Sequence, residues 1–233
     1  MPPFFWGLMK INNVKKNFKD AIVIDGITIS FDQGIAHGLL GANGVGKSTL
    51  IKMLMGLVRA DQGEIENSES ISLLPENPYL PDNLSAFQIV SHACRMQKQN
   101  DEVTRALLSE VLLKEESWFK PVRTYSKGMK QRTAIAYALA GSPKWLILDE
   151  PMSGLDAMGR KQMLDVFEKR KASKMSLLMC SHSVTDLVRL CQKVHVMAEG
   201  KICETVEITD HSMAEAESLE ACLENWTADY ALD

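Results

Sequence analysis

The sequence feature that most constrains the fold is the stretch GANGVGKST, which spans Gly41 to Thr49. It satisfies the pattern G-x-x-x-x-G-K-[ST], follows the apolar residues HGLL, and opens a run with helical spacing of apolar residues. Glycines let the backbone wrap closely around a phosphate, Lys47 reaches the terminal phosphates, and the Ser48 hydroxyl ligates Mg²⁺. The candidate phosphate-binding residues are Gly41, Ala42, Asn43, Gly44, Val45, Gly46, Lys47, Ser48 and Thr49. A strand, a glycine-rich loop and a helix in this order predict an α/β fold.

A second apolar run, WLILDEP, ends in two carboxylates, Asp149 and Glu150. Open α/β sheets bind ligands at the carboxyl ends of their strands, where these side chains are expected. Asp149 is the candidate Mg²⁺ ligand, directly or through water. Glu150 is the candidate base that orients or deprotonates an attacking water. The alternative is an acid pair that caps a helix before Pro151.

The order of apolar segments predicts one sheet domain with a helical insertion. Runs that are apolar throughout, such as KWLILDEP and SLLMCSH, are typical of parallel strands covered on both faces. We divide the chain into a core of residues 1–76 and 136–203, a helical subdomain of residues 77–135, and a tail of residues 204–233. The tail has no Lys or Arg and many acids, which favours a solvated helix without a specific basic partner.

Composition excludes several classes of function. The net charge of -4, from 26 basic and 30 acidic residues, gives no reason to expect nucleic-acid binding. No apolar run approaches the ~20 residues that span a bilayer. The opening MPPFFWGLM lacks a basic start and a cleavage site, so we do not expect a signal peptide. The five scattered cysteines favour reduced thiols in a cytosolic protein over a disulfide framework or a metal site.

The stretch RTYSKGMKQRTAIA raises the possibility of a second anion site in a chain that already has one. Ser126, the small Gly128 and the helix-forming run after them have the pattern of a helix N-terminus that receives an anion. Positive charge is added by Lys127, Lys130 and Arg132.

With GANGVGKST, YSKGMKQR, LILDEP, SGLD and SH in that order, the chain resembles a nucleotide-binding subunit of an ATP-binding-cassette transporter. The resemblance covers nearly all of Ile11 to Cys203, and the Tyr-Ser-Lys-Gly-Met form is similar to the ATPase subunits of two-component exporters. It implies a P-loop NTPase core, with a mostly parallel sheet and an antiparallel edge, and an inserted helical subdomain. It also implies ATP and Mg²⁺ as cofactors.

In that family, cassettes pair head to tail around MgATP. The resemblance therefore implies an ATP-dependent homodimer, in which Ser126 and the Gly128 N–H donate to the γ-phosphate of the partner's ATP. It implies that Gly154, Leu155 and Asp156 touch the partner beside its catalytic site. It also implies an integral-membrane permease that docks on the helical subdomain, between about Asn77 and Thr124, and places the chain at the cytoplasmic face of the cell membrane.

Several single residues match functional positions of the family, and each of them also has an alternative interpretation. His182 matches the histidine that contacts the γ-phosphate and holds the catalytic water, or it is a satisfied histidine at a strand end. Phe18 matches the aromatic that stacks on adenine, or it is a core or turn aromatic. Glu76 stands where glutamine usually bridges the metal, so it meets Mg²⁺ and repels the γ-phosphate, or it is a plain loop glutamate.

The signature itself departs from the family pattern at two positions. Lys127 replaces the first glycine, and Met129 replaces the usual glutamine. Lys127 is either attracted to phosphate or solvated, and the two changes put the hydrolysis rate in doubt.

These motifs predict an ATP-hydrolysing motor subunit that drives a separate permease, with export suggested by the signature form. One rival is a non-transport cassette ATPase that acts on ribosomes, DNA or chromosomes; those relatives carry paired cassettes, coiled coils or basic arms, which this chain lacks. The other rival is a module that senses ATP without hydrolysing it. Glu150 and His182 argue against that module.

Overall fold

The computed structural model describes residues 9–19, 21–67 and 69–227. Nearly all of the opening segment, for which we expect no signal peptide, lies outside these residues, and so does the end of the acidic tail. All five cysteines lie within the described part of the chain, and none forms a disulfide there. No helix in the described ranges is long and apolar enough to cross a membrane.

The described chain contains both strands and helices. The strands are β1 (Met9–Phe18), β2 (Ala21–Phe31), β3 (Ala36–Leu40), β4 (Gln62–Glu66), β5 (Ile71–Leu74), β6 (Trp145–Asp149), β7 (Ser176–Cys180), β8 (Lys193–Ala198) and β9 (Lys201–Glu207). The helices are α1 (Lys47–Leu54), α2 (Ala86–Met96), α3 (Asp101–Glu110), α4 (Lys127–Leu139), α5 (Ala157–Ala172), α6 (Val184–Leu190) and α7 (Met213–Thr227).

The central sheet has six strands in the order β5-β6-β7-β3-β8-β9. All neighbours pair in parallel except β8 and β9, which are antiparallel. A second sheet of three antiparallel strands has the order β2-β1-β4. The predicted α/β fold, with a mostly parallel sheet and antiparallel strands, is confirmed.

The central strands are apolar throughout because both of their faces are covered. In β6, Trp145 and Ile147 point into the core shared with the antiparallel sheet and α1, whereas Leu146 and Leu148 point into the core shared with the other helices. All four side chains are fully buried. This arrangement fixes the carboxyl end of β6, where its polar residues emerge, between those of β5 and β7.

The chain between β5 and β6 is helical. Ser85 begins α2 with a capping box, in which its hydroxyl accepts from the Gln88 N–H and the Gln88 side chain accepts from the Ser85 N–H. Asn100 caps α3 without a capping box, since its side-chain oxygen accepts the Glu102 and Val103 N–H groups. The predicted division at residues 76/77 and 135/136 stays a prediction, and its second boundary falls inside α4.

The acidic tail begins within β9, which includes residues 204–207, and from Met213 it forms α7, which packs on the core. Ala216 and Leu219 of α7 are buried in the main hydrophobic cluster, and Leu223 packs against it. The acidic side chains lie mainly on the other faces. The described part of the tail is therefore docked along one face, whereas its charge pattern had favoured a solvated helix.

Candidate nucleotide-binding site

A cavity of about 460 Å³ opens at the carboxyl ends of the central strands. Its volume lies within the range of small-molecule sites. The lining comes from the loop before α1, Glu76, the segment after β6, the residues after β7, and single residues of β2, α5 and α6. The crossover connections of a parallel sheet bring these distant segments to one edge.

The loop from Gly41 to Thr49 owes its shape to two tightly packed glycines. A Cβ at Gly41 would come within 2.3 Å of the Met197 carbonyl oxygen. Gly46 has a φ of 109°, and a Cβ there would lie 2.7 Å from the Val23 carbonyl oxygen. Any larger residue would push the loop off the strands beneath it, so these glycines keep its backbone close to the sheet.

Lys47 is buried at the base of this loop, with 8% of its surface exposed. Its ammonium donates to the carbonyl oxygens of Gly41, at 2.7 Å, and Ala42, at 2.9 Å. Neither carbonyl is charged, so the positive charge of Lys47 has no anionic partner there. A phosphate group in the cavity would supply that anion.

Three carboxylates line the cavity beside Lys47, namely Glu76, Asp149 and Glu150. Burial raises the pKa of Asp149, and the charges of Glu76 and Glu150 raise it further. A hydrogen bond from Ser48 and the charge of Lys47 oppose this rise. The concentrated negative charge makes this corner favourable for a cation.

The donors in this corner fit Mg²⁺. Ser48, Asp149 and Glu76 offer the hard oxygen atoms that Mg²⁺ prefers, and all three line the same cavity. No cluster of three or more His, Cys, Asp or Glu with metal-binding geometry occurs in the described part of the chain. Mg²⁺ usually keeps waters and takes phosphate oxygens together with one or two carboxylates, so a complete protein cage is not expected.

Glu150 and His182 are held against each other. The Glu150 carboxylate lies 3.0 Å from His182 Nδ1 and accepts the His182 backbone N–H at 3.1 Å. Glu150 has a φ of 49°, unusual for a residue with a side chain, and its own N–H donates to the Cys180 carbonyl oxygen. This turn directs the carboxylate into the cavity, while the His182 side chain is 78% exposed.

The structure brings most of the predicted site residues together. Those that line the cavity are Asn43, Gly44, Gly46, Lys47, Ser48, Thr49, Glu76, Asp149, Glu150, Gly154, Leu155 and His182. Gly41, Ala42 and Val45 belong to the same loop without lining the cavity. Asp156 caps α5, where its carboxylate accepts the Gly159 N–H at 2.7 Å.

The other predicted nucleotide contacts do not line this cavity: Phe18, Ser126, Lys127 and Gly128. Phe18 lies at the end of β1, 47% exposed, and the Lys16 ammonium lies 5.3 Å from its ring centroid. Ser126 is exposed at the start of α4, where its hydroxyl accepts the Met129 N–H.

Sequence reasoning missed several residues that line the cavity: Val23, Met152, Ser153, Arg160, Ser181, Ser183 and Asp186. Arg160 donates to Asp186, at 2.6 Å, and to Ser183, at 3.1 Å, and so ties α5 to the segment that follows β7. Arg160 could have been found from the sequence, because it follows Asp156, a predicted site residue, by one helical turn. Val23 carried none, because it reaches the cavity only through the packing of one sheet on the other.

Comparison with known proteins agrees with this geometry. The family profile described as ABC transporter matches residues 24–153. The lantibiotic transport ATP-binding protein SrtF of Streptococcus pyogenes is 33% identical over 204 residues, which cover 84% of this chain and 89% of the relative. The Nod factor export ATP-binding protein I of Burkholderia orbicola is 30% identical, with 88% of this chain and 72% of the relative covered.

Solved structures share the fold. An ATP binding subunit of an ABC transporter superposes with a TM-score of 0.81 at 24% identity, covering 92% of this chain and 100% of the other. A dimeric ATP-binding cassette, MJ0796, bound to ADP and Pi, gives a TM-score of 0.80 at 17% identity, covering 86% and 99%. The sequence matches and the fold lead to one conclusion: the chain belongs to the ABC transporter family, among its ATP-binding subunits.

Proposed function

We propose that this chain binds and hydrolyses MgATP as the motor subunit of an ABC transporter. In this proposal it pairs head to tail with a second copy and drives a separate integral-membrane permease, for export. The observation that carries the proposal is the single cavity in which Lys47, the Asp149 carboxylate and the Glu150–His182 pair meet.

The hydrolytic step would be an in-line attack of water on the γ-phosphoryl group, in which the bond to the β–γ bridging oxygen breaks and ADP leaves with that oxygen. Glu150 accepts a proton from the water, and His182 holds the Glu150 carboxylate in place. Lys47 and the loop N–H groups stabilise charge on the phosphate oxygens. Mg²⁺, when bound by Ser48, Asp149 and Glu76, neutralises phosphate charge. Phosphoryl transfer needs little covalent chemistry from the protein, so positioning by these residues accounts for most of the catalysis.

The head-to-tail dimer is supported by two surfaces that do not meet each other within one chain. The cavity is lined by the loop before α1, whereas the signature segment (Ser126–Gly128) does not line it and exposes Ser126 and Lys127. Each surface would complete the other in a second copy, where the Ser126 hydroxyl and the Gly128 N–H approach the partner's γ-phosphate. One structural neighbour is a dimer bound to ADP and Pi.

An aromatic surface on the helical segment supports a permease partner. The rings of Phe87 and Phe119 lie 5.0 Å apart, and the Arg105 guanidinium lies over both. Phe119 is 59% exposed and Tyr79 is 88% exposed. Exposed aromatics with an arginine are typical of protein interfaces. We place the chain at the cytoplasmic face of the membrane through this contact, and two relatives are named for lantibiotic transport and Nod factor export.

The variant Glu150→Gln tests the proposal. It keeps the shape of the side chain but removes the base, so we expect ATP binding to persist while turnover falls about 100-fold or more. Because the ATP stays uncleaved, the dimer should accumulate and be detected on a sizing column. The control Glu217→Gln changes an exposed glutamate of α7 and should behave as wild type.

Full ATPase activity in Glu150→Gln would remove Glu150 from the base role. ATP binding without turnover in the wild-type chain, with and without membranes that contain the permease, would instead favour a module that only senses ATP.

A further inference from the structure

The first turns of α4 are built against the segment that follows Glu150 in the same chain. Gln131 is buried, and its side-chain amide donates to the Pro151 carbonyl oxygen at 2.8 Å. A Cβ at Gly128 would lie 3.4 Å from the Gly154 carbonyl oxygen and 3.6 Å from the Leu155 side chain. The signature segment (Ser126–Gly128) therefore lies in contact with the contact loop (Gly154–Asp156) of its own chain.

Lys127 makes the tightest of these contacts. Its Cγ, Cδ and Cε atoms lie 2.5, 2.6 and 2.8 Å from where a Cβ at Gly154 would stand. The methylene stem of Lys127 thus occupies the space that any larger residue at 154 would need. Gly154 also has a φ of 78°, a conformation that favours glycine, and a side chain at 154 would force the Lys127 stem to move.

The ammonium group of Lys127 is not held by a comparable contact in the described part of the chain. No hydrogen bond or ion pair of this group occurs within the described ranges, whereas Lys130, one turn away, lies 3.8 Å from the Asp82 carboxylate. Lysine side chains commonly pack their stems on a surface and leave the charge in water. Here the stem is the part with a defined partner.

We propose that Lys127 is a positioning residue whose methylene stem, and not its charge, holds the signature segment against the contact loop. The consequence for dimer formation rests on the proposed function, because both segments would face the partner's nucleotide. The stem would make them one rigid unit, so that a partner engages both or neither. The contact itself is present in the single chain and can be tested there.

Hydrogen exchange of the monomer tests the contact without any dimer. Ser153 and Leu155 donate their N–H groups to the carbonyl oxygens of Glu150 and Met152, and these amides report on the contact loop. We expect Lys127→Ala to speed their exchange about tenfold, equivalent to about 1.4 kcal/mol. Lys127→Met keeps a stem of similar length and should exchange as the wild type does. Equal exchange in Lys127→Ala and wild type, or equal acceleration in both variants, would overturn the proposal.

Sedimentation in MgATP tests the consequence, with every variant placed in a Glu150→Gln background. Lys127→Ala should weaken the dimer about tenfold, and Lys127→Met should change it less than about twofold. If Lys127→Met weakens the dimer as much as Lys127→Ala, the charge is the active part and the proposal fails. If the Glu150→Gln chain itself stays monomeric, the proposed function fails, and hydrogen exchange still decides the stem contact.

A double-variant cycle checks that the stem and Gly154 meet. Gly154→Ala introduces both a strained φ and a clash with the Lys127 stem. Lys127→Gly should relieve only the clash. The double variant should therefore be more stable than the sum of the two single effects predicts. Gly34→Ala is the control, because Gly34 has a φ of 81° with nothing within 4 Å of its Cβ position. Strict additivity of Lys127→Gly with Gly154→Ala would contradict the contact.

Discussion

Two regions of this molecule have the residue types of a phosphate-binding site, and they differ in how they are packed. The loop from Gly41 to Thr49 is packed against two sheets, and its Lys47 is buried and hydrogen-bonded. In the signature segment Ser126 and Lys127 are exposed, and the Ser126 hydroxyl already accepts an N–H of its own helix. The first region is held in shape by packing within its own chain. In the described part of the chain, by contrast, no second surface faces the exposed side of the signature segment to form a cavity with it. A site that is complete on one side only is what a head-to-tail pair requires.

Electrostatics separates the two regions further. Around the loop, three carboxylates stand beside one buried lysine, and burial raises the pKa of Asp149. Around the signature segment the nearby charges include Lys127 and Lys130, with Asp82 opposite Lys130. In the proposed function, the first region would therefore bind a triphosphate best together with a cation, and the second would approach the outer phosphate without one.

The largest effect should come from Lys47→Ala in the first region. Removing a buried charge that faces phosphate should weaken ATP binding by the monomer about 100- to 1,000-fold, or about 3 to 4 kcal/mol. Titration calorimetry with MgATP measures this. Lys52→Ala removes an exposed lysine from the same helix and should leave the affinity unchanged. If Lys47→Ala retains wild-type affinity, the contrast between the two regions is wrong.

Acid should destabilise the whole fold, including the sheet that carries the first region, through a pair of buried histidines on β3 and β8. His37 of β3 donates from Nε2 to the Asp32 carbonyl oxygen, at 3.1 Å, so its Nδ1 accepts the His195 Nε2 proton, at 3.0 Å. His195 of β8 accepts the Thr205 hydroxyl at its Nδ1, at 2.9 Å. A second proton on His37 Nδ1 would break its bond to His195, and a second proton on His195 Nδ1 would reverse the bond to the Thr205 hydroxyl, whose oxygen would then accept.

Burial lowers the pKa of His37 to about 4 and that of His195 to about 3. The unfolded chain takes up these protons near pH 6.5, so the unfolded state binds more protons below that pH and stability falls as pH decreases. We expect the free energy of unfolding to drop by about 2 to 4 kcal/mol between pH 6.5 and pH 4.5.

Urea unfolding across this pH range measures the effect. His195→Gln removes one titrating ring and should reduce the pH-dependent drop by about half, whatever it does to stability at neutral pH. His92→Gln changes an exposed histidine of α2 and should leave the drop unchanged. A wild-type stability that is flat over this range would contradict the neutral pair.

A smaller effect should follow from Ser126→Ala in the second region. The variant loses a cap, which costs about 1 kcal/mol of stability, and it should weaken the ATP-dependent dimer about tenfold while the monomer binds ATP as before. Ser85→Ala is the matched control, because it removes the cap of α2 away from both regions. If the two variants weaken the dimer equally, Ser126 acts only as a cap.

The smallest effect should come from Glu76→Gln in the first region. Removing one of the carboxylates lowers the repulsion toward phosphate, so ATP without Mg²⁺ should bind about threefold more tightly. With Mg²⁺ the gain should shrink, because a carboxylate that helps to hold the cation is also lost. Glu69→Gln, at a position that does not line the cavity, serves as the control. Equal affinities in EDTA would make Glu76 a plain loop residue.

Much of the fold was predictable because its signals are local. The apolar runs around Leu148 and Leu178 predict buried parallel strands, and the glycines of the loop before α1 predict its close packing. The Ser126 cap of α4 follows from residue type and spacing alone. The buried face of α7 was not predictable in this way, because its acidic composition hides the few apolar side chains that dock.

The sequence by itself determined the strand–loop–helix unit, the carboxylate pair at the end of β6 and the order of the motifs, since these depend on neighbouring residues. Only the tertiary structure decided that Glu150 bonds His182, that Arg160 joins Asp186 at the rim, and that the stem of Lys127 lies on Gly154. These contacts join residues from different elements, and their distances are set by how the strands cross over and the helices pack. No local pattern encodes that geometry, because it results from the whole core.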